Sequence, residues 1–581
     1  MRTYDPPVKD YAFLLRHVID AEKVLEEVTG GTVGLEDAID VIEGAGAVVA
    51  PIAALNAVGD QIGAKLVDGE VVTPPGFKEA FTSYAEGGWI GLSLPESIGG
   101  AGMPRVLGAA ADEFLHGANP AFAMACGLGS YASWVFAQVD DPELRSTYAA
   151  RLLSGEWSGT MDLSEPQAGT DLAAIRTIAR PQADGTWKVS GQKIFISWGD
   201  HDLTENVVHL VLARTPDAPP GVGGLSLFVV PKFLPLADGT LGERNAVNCV
   251  SLERKLGLRA SPTCVMDYDG ATGFLVGEQH RGLRAMFIMM NAARMASGIQ
   301  GLAVAELAFQ KARAYAGERV QGRVIGREPG TPIAEHPDVR RLLLSMASGL
   351  SAMRALAVQT AAWLDLSDPL GQMFLPVLKG WLTETGVEIA SDAIQVHGGT
   401  GYVEETGVAQ QLRDARIMPI FEGTTAVQAN HLVSRVLARD AGATAFGTLD
   451  LIDATREELA ALAHPTATRL ARRLESSVAL VRAATLHLLD GGDGGDHARD
   501  MHAAAVPYLH MWGLLAGGWM HGRIVCASLE SADESPARRL LEADFYGVHY
   551  LSRLLGLAEV VHAGEIVPAA EPVTEADAAR V

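Results

Sequence analysis

The chain has only four cysteines in 581 residues, Cys126, Cys249, Cys264 and Cys526, and no two form a CxxC pair. That scarcity excludes a disulfide framework or a zinc knuckle, and the thiols read as buried groups in a reducing compartment. Positive charge is also short: 46 Lys and Arg stand against 70 Asp and Glu, a formal net charge of −24. Such a surface repels phosphates, so nucleic-acid binding is disfavoured. No GxGxxG follows a strand and opens a helix, so a Rossmann nucleotide site is not expected. The start, MRTYDPPVKD, has no apolar core and no cleavage signature, which predicts no secretory signal. A long Leu, Ile or Val run is missing too. The uncharged stretch 117–139 is rich in Gly, Ala and Ser and predicts a buried helical hairpin, not a membrane span. These absences point to a cytoplasmic protein without a membrane span. No internal repeat is visible.

What is present is an ordinary globular balance, 48% hydrophobic and 20% charged. At roughly 100–200 residues per domain the length predicts three to five domains. Residues 1–155 carry apolar positions at helical spacing in 10–28, 34–66 and 77–91. From Trp157 to about Gly282 the pattern becomes short β runs: WKVSG at 187–191, NVVHLVLA at 206–213, LSLFVVP at 225–231 and CVMDYD at 264–269. Helical spacing resumes at Ala285, and the Pro-free segments 286–316 and 338–366 suit an antiparallel bundle. The expected fold is α+β and multidomain. It comprises an N-terminal extension (1–38), a helical domain (39–156), a β-barrel or sandwich (157–284), a four-helix bundle (285–440) and a further helical region (441–581).

Four segments carry chemistry. MDLSEPQAGTDL, 161–172, opens the β region; Gly169 can let backbone approach a flat ligand, with the Ser164 and Thr170 hydroxyls nearby. An ordinary helix-to-strand turn is the alternative. FISWG, 195–199, ends a strand, where Ser197 can hydrogen-bond a ring laid against it or simply belong to a β edge. QVHGGTG, 395–401, stops a helix and can present amides to a pyrophosphate, or be a plain glycine cap. In RDARIMPIFEGTTAVQAN, 413–430, Glu422 follows apolar residues that would raise its pKa toward that of a general base; a cap at a helix start is the other reading.

In this order and spacing the four segments resemble the acyl-CoA dehydrogenase family, from about residue 40 to 440. KLGLRASPT at 255–263, Arg294 and Arg319 add to the match. The resemblance implies a flavoprotein of fatty acid metabolism, acting on a CH–CH group as in β-oxidation, with FAD held between the β domain and the bundle. Met161, Leu163, Ser164, Gly169 and Thr170 would line the isoalloxazine. Phe195, Ile196 and Ser197 would cover its other side, with Ser197 near N5. Most members have Trp and Thr where this chain has Phe195 and Ser197, which keeps an aromatic wall and a hydroxyl. Arg319, Gln395, Gly398 and Gly399 would reach the FAD of a partner subunit, implying at least a homodimer. Thr424 would also contact FAD.

The same resemblance places Thr170, Asn291, Arg294 and Gly423 beside the acyl-CoA and makes Glu422 the base for the α-proton. The flavin would take the β-hydride and the product would be the trans-2-enoyl-CoA. Some members place the base on the helix of Arg294, but Asn291-Ala292-Ala293 offers no carboxylate here. The expected electron acceptor is electron-transfer flavoprotein. An oxygen-using acyl-CoA oxidase remains an alternative. A non-catalytic or nucleic-acid-associated relative is disfavoured by the intact Glu422 and the missing basic tail. YDPPVKDYAFLLRHV near the start, HGANPAF at 116–122, FYGVHYLSRLL at 545–555, the insertion between Gln321 and His336 and the extra C-terminal helices resemble a longer bacterial branch. That branch includes 3-methylmercaptopropionyl-CoA dehydrogenase. GGDGGDHARD, 491–500, partly resembles a calcium repeat but occurs once between helices, and no metal role is assigned to it or to His487, His497 and His502.

Overall fold

The computed structural model describes residues 4–236, 238–490, 495–531 and 535–569. A short helix α1 (Val8–Phe13) leads to α2 (Leu35–Val48) and then to a small hairpin, β1 (Lys65–Val67) and β2 (Glu70–Val72). The hairpin corrects the all-helical expectation for 1–155; its strands of three residues are too short to show alternation in sequence. Helices α3 (Arg105–Ala118) and α4 (Pro120–Gln138) follow, separated by one extended residue, Asn119. The Asn119 side chain accepts from Phe122 N at 3.2 Å, and Pro120 occupies the first turn, so this one residue stops α3 and starts α4. Most of 117–139 is therefore a single buried-face helix. The expected hairpin within it does not form, because nothing inside Pro120–Gln138 breaks the run.

The β region is a sheet closed on itself. Strands β3 (Trp157–Asp162), β4 (Ile178–Pro181), β5 (Trp187–Ser197), β6 (Asn206–Arg214) and β7 (Leu225–Pro231) precede the β8–β9 hairpin (Phe233–Pro235, Leu241–Arg244). Then come β10 (Val247–Leu252) and β11 (Thr263–Val276). Strand β11 pairs with β5 and β7, β7 with β6, β6 with β4 and β4 with β5, a closed ring flanked by β3 and β10. Closure leaves few free edges. It also explains why β6 is buried on both faces, all but its last residue, with His209 the one polar side chain between its end residues. Gly159 on β3 lies where a Cβ would stand 2.6 Å from Ala132 Cβ, so only glycine lets α4 sit this close to the barrel.

The bundle consists of α5 (Gly282–Glu318), α6 (Pro337–Asp365), α7 (Pro369–His397) and α8 (Thr425–His431), which runs on to Leu437. Helices α9 (Ala443–Ala461), α10 (Pro465–Asp490), α11 (Gly495–Glu530) and α12 (Pro536–His549) are layered on it. Trp363 on α6 stacks on Trp519 of α11 at 5.8 Å, and Phe374 on α7 meets Trp512 edge-on at 6.1 Å. One apolar core thus runs from the N-terminal helices through the bundle into the last layer. By length and composition, 35–62 and α6 could each cross a membrane, but most of the apolar window of α6 is buried in the bundle.

Candidate active site

Glu422 sits in a tight turn between the 417–421 loop and α8. Its φ is +53°, followed by Gly423 at +85°. Two consecutive left-handed residues, the second free of a Cβ, make the reversal possible. Every backbone acceptor in it is tied down. Gln428 Nε2 donates to Glu422 O at 3.0 Å, and Lys379 Nζ on α7 donates to Gly423 O at 2.7 Å. Thr424 Oγ1 accepts from Val427 N at 3.3 Å and is the N-cap of α8. The cap reading of Glu422 is therefore taken over by Thr424, and the Glu422 carboxyl carries no structural hydrogen bond among the described residues.

The carboxyl lies among Lys379, Arg294 and Tyr131. Burial raises its pKa, and the two cations pull it partway back. Burial likewise brings Lys379 down to about 8 against the opposing pull of Glu422 and Glu384. Arg294 on α5 is 8% exposed; its Nη1 donates to Asn291 Oδ1 at 3.1 Å, while its Nε is buried with no partner among the described residues. An unsatisfied buried guanidinium N–H is costly, and a bound acyl-CoA oxygen is the kind of acceptor it lacks. A cavity of about 100 Å³ opens beside Ala292 and Met295 of the same helix, walled by Tyr84, Cys126, Tyr131 and Trp134.

The two β-region segments come together. Ile194 N donates to Ser164 O at 2.9 Å and Thr160 Oγ1 to Ser197 O at 2.9 Å, so 160–164 and 194–197 form one surface. Phe195, at φ +59°, is 61% exposed whereas its neighbour Ile196 is 2% exposed. The Phe195 ring is thus an open flat wall, while the Ile196 side chain joins the barrel core and can face a ligand only through its backbone. Gly169 and Thr170 are exposed, and a Cβ at Gly169 would meet nothing within 4 Å. Met161, Leu163 and Ser164 are partly accessible. An exposed aromatic face, hydroxyls and bare backbone suit a planar ring such as a flavin. The loop is welded by a buried pair: Lys193 Nζ reaches Glu165 Oε1 and Leu163 O, both at 2.9 Å. Glu165 also accepts from Arg176 N, Thr177 N and Thr177 Oγ1, which together with Lys193 hold its carboxyl at about 2.

A third group lies at the far end of α5 and α7. Tyr315 stacks on His397 at 4.4 Å and receives a hydrogen bond from Thr400 Oγ1 at 3.2 Å, joining the Arg319 corner to the Gly398–Gly399 loop. Arg319, Gln395, Gly398 and Gly399 are all exposed, and Ile325 and Tyr402 nearby are each 87% exposed. KLGLRASPT packs on RDAR: Leu258 N donates to Asp414 Oδ1 at 2.6 Å, and Arg413 is paired with Asp60 at 2.5 Å.

Sequence reasoning did not single out Lys379, Tyr131, Lys193 or Glu165. Lys379 had one signal, a lone cation inside the apolar run MFLPVLKGWL. A cavity of about 1310 Å³ between α1, α2, α5, α6 and α12 contains none of these site residues. Among the described residues no group of three or more His, Cys, Asp or Glu is placed to hold a metal. His487 packs on His562, His497 binds Leu488 O and His502 binds Ser434, while 491–494 of the glycine-aspartate loop lie outside the described residues.

Four family models match: the acyl-CoA dehydrogenase N-terminal domain at 67–156, the middle domain at 160–271, the C-terminal domain at 280–437, and an acetyl-CoA dehydrogenase C-terminal-like domain at 448–568. The chain is 46% identical to a 3-methylmercaptopropionyl-CoA dehydrogenase of Ruegeria pomeroyi, over 90% of each chain. It is 32% identical to the broad-specificity linear acyl-CoA dehydrogenase FadE5 of Mycobacterium tuberculosis, over 97% of this chain and 98% of that one. Its fold matches Caenorhabditis elegans ACDH-11, solved with C11-CoA, at TM-score 0.72 and 21% identity over 95% of this chain and 93% of that one. A Bacillus anthracis acyl-CoA dehydrogenase solved with FAD matches at TM-score 0.69 and 19% identity, over 85% of this chain and 84% of that one. With every layer of the fold accounted for, the chain belongs to the acyl-CoA dehydrogenase family, the FAD-dependent oxidoreductases that dehydrogenate acyl-CoA thioesters.

Proposed function

We propose that Glu422 removes the α-proton of a short acyl-CoA, leading to the trans-2-enoyl-CoA. The observation that carries this is the Glu422 turn, a carboxyl with a burial-raised pKa beside Lys379 and Arg294 and interacting with Tyr131, which also lines the cavity. The base works as a carboxylate, so flavin reduction rises with pH through that raised value. Met161, Leu163, Ser164, Gly169, Thr170, the Phe195–Ser197 wall and Thr424 would hold FAD, which would supply the two-electron acceptor for the β-hydride. Asn291, Arg294, Thr170 and Gly423 hold the thioester, and the Glu422 N–H faces the developing enolate oxygen. The cavity beside Ala292 and Met295, about 100 Å³, would receive the acyl chain. The relative at 46% identity supports 3-methylmercaptopropionyl-CoA as the specific substrate.

The test is a purified, yellow protein with one FAD per subunit, offered a panel of acyl-CoAs and an artificial electron acceptor. Turnover with short chains is expected, with slow reoxidation in air that fits electron-transfer flavoprotein, not oxygen, as the acceptor. A folded protein that neither carries nor accepts FAD overturns the assignment.

Arg319, Gln395, Gly398 and Gly399 reach the flavin of a partner, and the exposed Ile325 and Tyr402 are covered there. In the cytoplasm the enzyme is then at least a homodimer. Light scattering should give twice the subunit mass or more, and Arg319→Ala should release FAD more readily. A fully active monomer with tightly held FAD contradicts this.

Lys379 positions the base without touching the reacting atoms. Lys379→Met removes a cation beside Glu422 and the bond to Gly423 O, so the base pKa goes up. The rising limb of the pH profile for flavin reduction should move to higher pH, each unit lowering the rate on that limb about tenfold. Lys379→Arg should restore part of it. An unmoved limb in the Met variant assigns Lys379 to packing alone.

A further inference from the structure

Helix α3 turns one face to the acyl cavity, through Arg105, Gly108, Ala109, Asp112 and Leu115, the i, i+3, i+4, i+7 rhythm of one helical side. Asp112 is the anomaly on that face. It sits in mid-helix, with no hydrogen bond or ion pair among the described residues, where the chain could have used alanine or leucine. Its surroundings are Tyr84, Cys126 and Tyr131, none of which is a cation. Arg105, two turns away, is engaged with Asp365 at 3.7 Å and lies over Trp134 at 4.8 Å. Burial alone lifts the Asp112 carboxyl to about 7, so near neutrality it carries a proton a large part of the time. Tyr131 lies under the influence of both Asp112 and Glu422, so one cavity-lining tyrosine links Asp112 to the base. The hydroxyls of Tyr84, Tyr131 and Ser130 share this part of the lining.

A plain hydrocarbon tail gains nothing from a carboxyl and must desolvate it. A neutral oxygen or sulfur in the tail gains a hydrogen bond, whereas a carboxylate tail meets a group that becomes anionic without a counter-cation. We propose that Asp112 sets the acyl preference, selecting short chains that carry a neutral hydroxyl, ether or thioether over hydrocarbon chains of equal length. This rests on the acyl-CoA dehydrogenase reading of the same cavity. It assigns a specificity role to a residue outside every motif described above.

The experiment compares kcat/KM for pentanoyl-CoA, 3-methylmercaptopropionyl-CoA and 4-hydroxybutanoyl-CoA in the parent, Asp112→Leu and Asp112→Asn holoenzymes. The first two differ only by a methylene exchanged for sulfur at one chain position. The parent should favour at least one polar chain over pentanoyl-CoA, and Leu should cut that ratio by roughly 2–10-fold, the worth of one neutral hydrogen bond. Asn, isosteric and still a donor, should keep part of the preference, and it serves alone if Leu fails to load FAD; Asn must then still lower the ratio. Ratios indifferent to residue 112, with all three thioesters oxidised, overturn this inference and leave the dehydrogenase reading intact. No oxidation of any thioester overturns both.

Discussion

Glu422→Gln should slow reduction of the flavin by acyl-CoA by ~10²–10⁴-fold, the usual cost of losing a general base. The geometry makes this a clean test. Glutamine keeps the shape and the left-handed turn, and none of the bonds that hold the turn uses the carboxyl: Lys379 and Gln428 bind carbonyls, and Thr424 caps α8. FAD content and acyl-CoA affinity should therefore stay near those of the parent. Were Glu422 a helix cap, its loss would cost about 0.5–2 kcal/mol of stability and leave the chemistry alone. Anaerobic stopped-flow bleaching separates the two. The parent rate should climb with pH through a value above the ordinary glutamate range, because the folded-state pKa is raised and only the deprotonated form accepts a proton. The residual rate of the Gln variant should lack that limb. Bleaching by the Gln variant at near the parental rate places the base elsewhere.

The long elements were readable from sequence because their signals are local and repeated. Strands β5, β6, β7 and β11 show as β runs, and α5 and α6 as long Pro-free helical segments. Strands β4, β8 and β9 span three or four residues, too few for a period to register. Ring closure by β7 against both β6 and β11 is a long-range fact that no local pattern contains. The Glu422 segment could be picked out, but its two local readings could not be separated. What separates them is that Thr424 takes the cap of α8 while a lysine 43 positions upstream ties the turn from a neighbouring helix, leaving the carboxyl free of either task. Asp112 was invisible for the same reason. In GAAADEFLHG two adjacent acids read alike, yet Glu113 is paired with Arg354 while Asp112 lines the cavity beside Ala292 and Met295.

That Arg354 pairing carries the largest stability effect we expect. Arg354 donates to Glu113 through Nη2 at 2.6 Å and Nε at 3.0 Å, and to Glu306 at 2.8 Å, with Asp10 at 3.7 Å. Tyr11 OH adds a bond to Glu113 Oε2 at 2.6 Å. Four groups from α1, α3 and α5 are thereby joined around one guanidinium on α6. The side chains of Arg354 and Glu113 are 4% and 0% exposed, so water cannot take over for a missing partner. Arg354→Met keeps much of the volume but strands two buried carboxylates, which should cost about 3–5 kcal/mol. The variant has a partial escape, since burial already raises Glu113 and without Arg354 it would bind a proton more readily. A folded-state pKa above the unfolded one means protonation favours the folded form. The variant should therefore be closest to the parent at low pH and lose stability as pH rises toward and through the raised Glu113 value. Adding Glu113→Gln should recover part of the loss, because the pair is coupled and its members' effects do not sum. Urea unfolding of the holoenzyme at pH 5.5 and pH 8, roughly bracketing the range of interest, measures the parent and both variants. An Arg354→Met protein within about 1 kcal/mol of the parent at both pH values would show that the cluster tolerates an empty centre, contrary to the cost of unpaired buried charge.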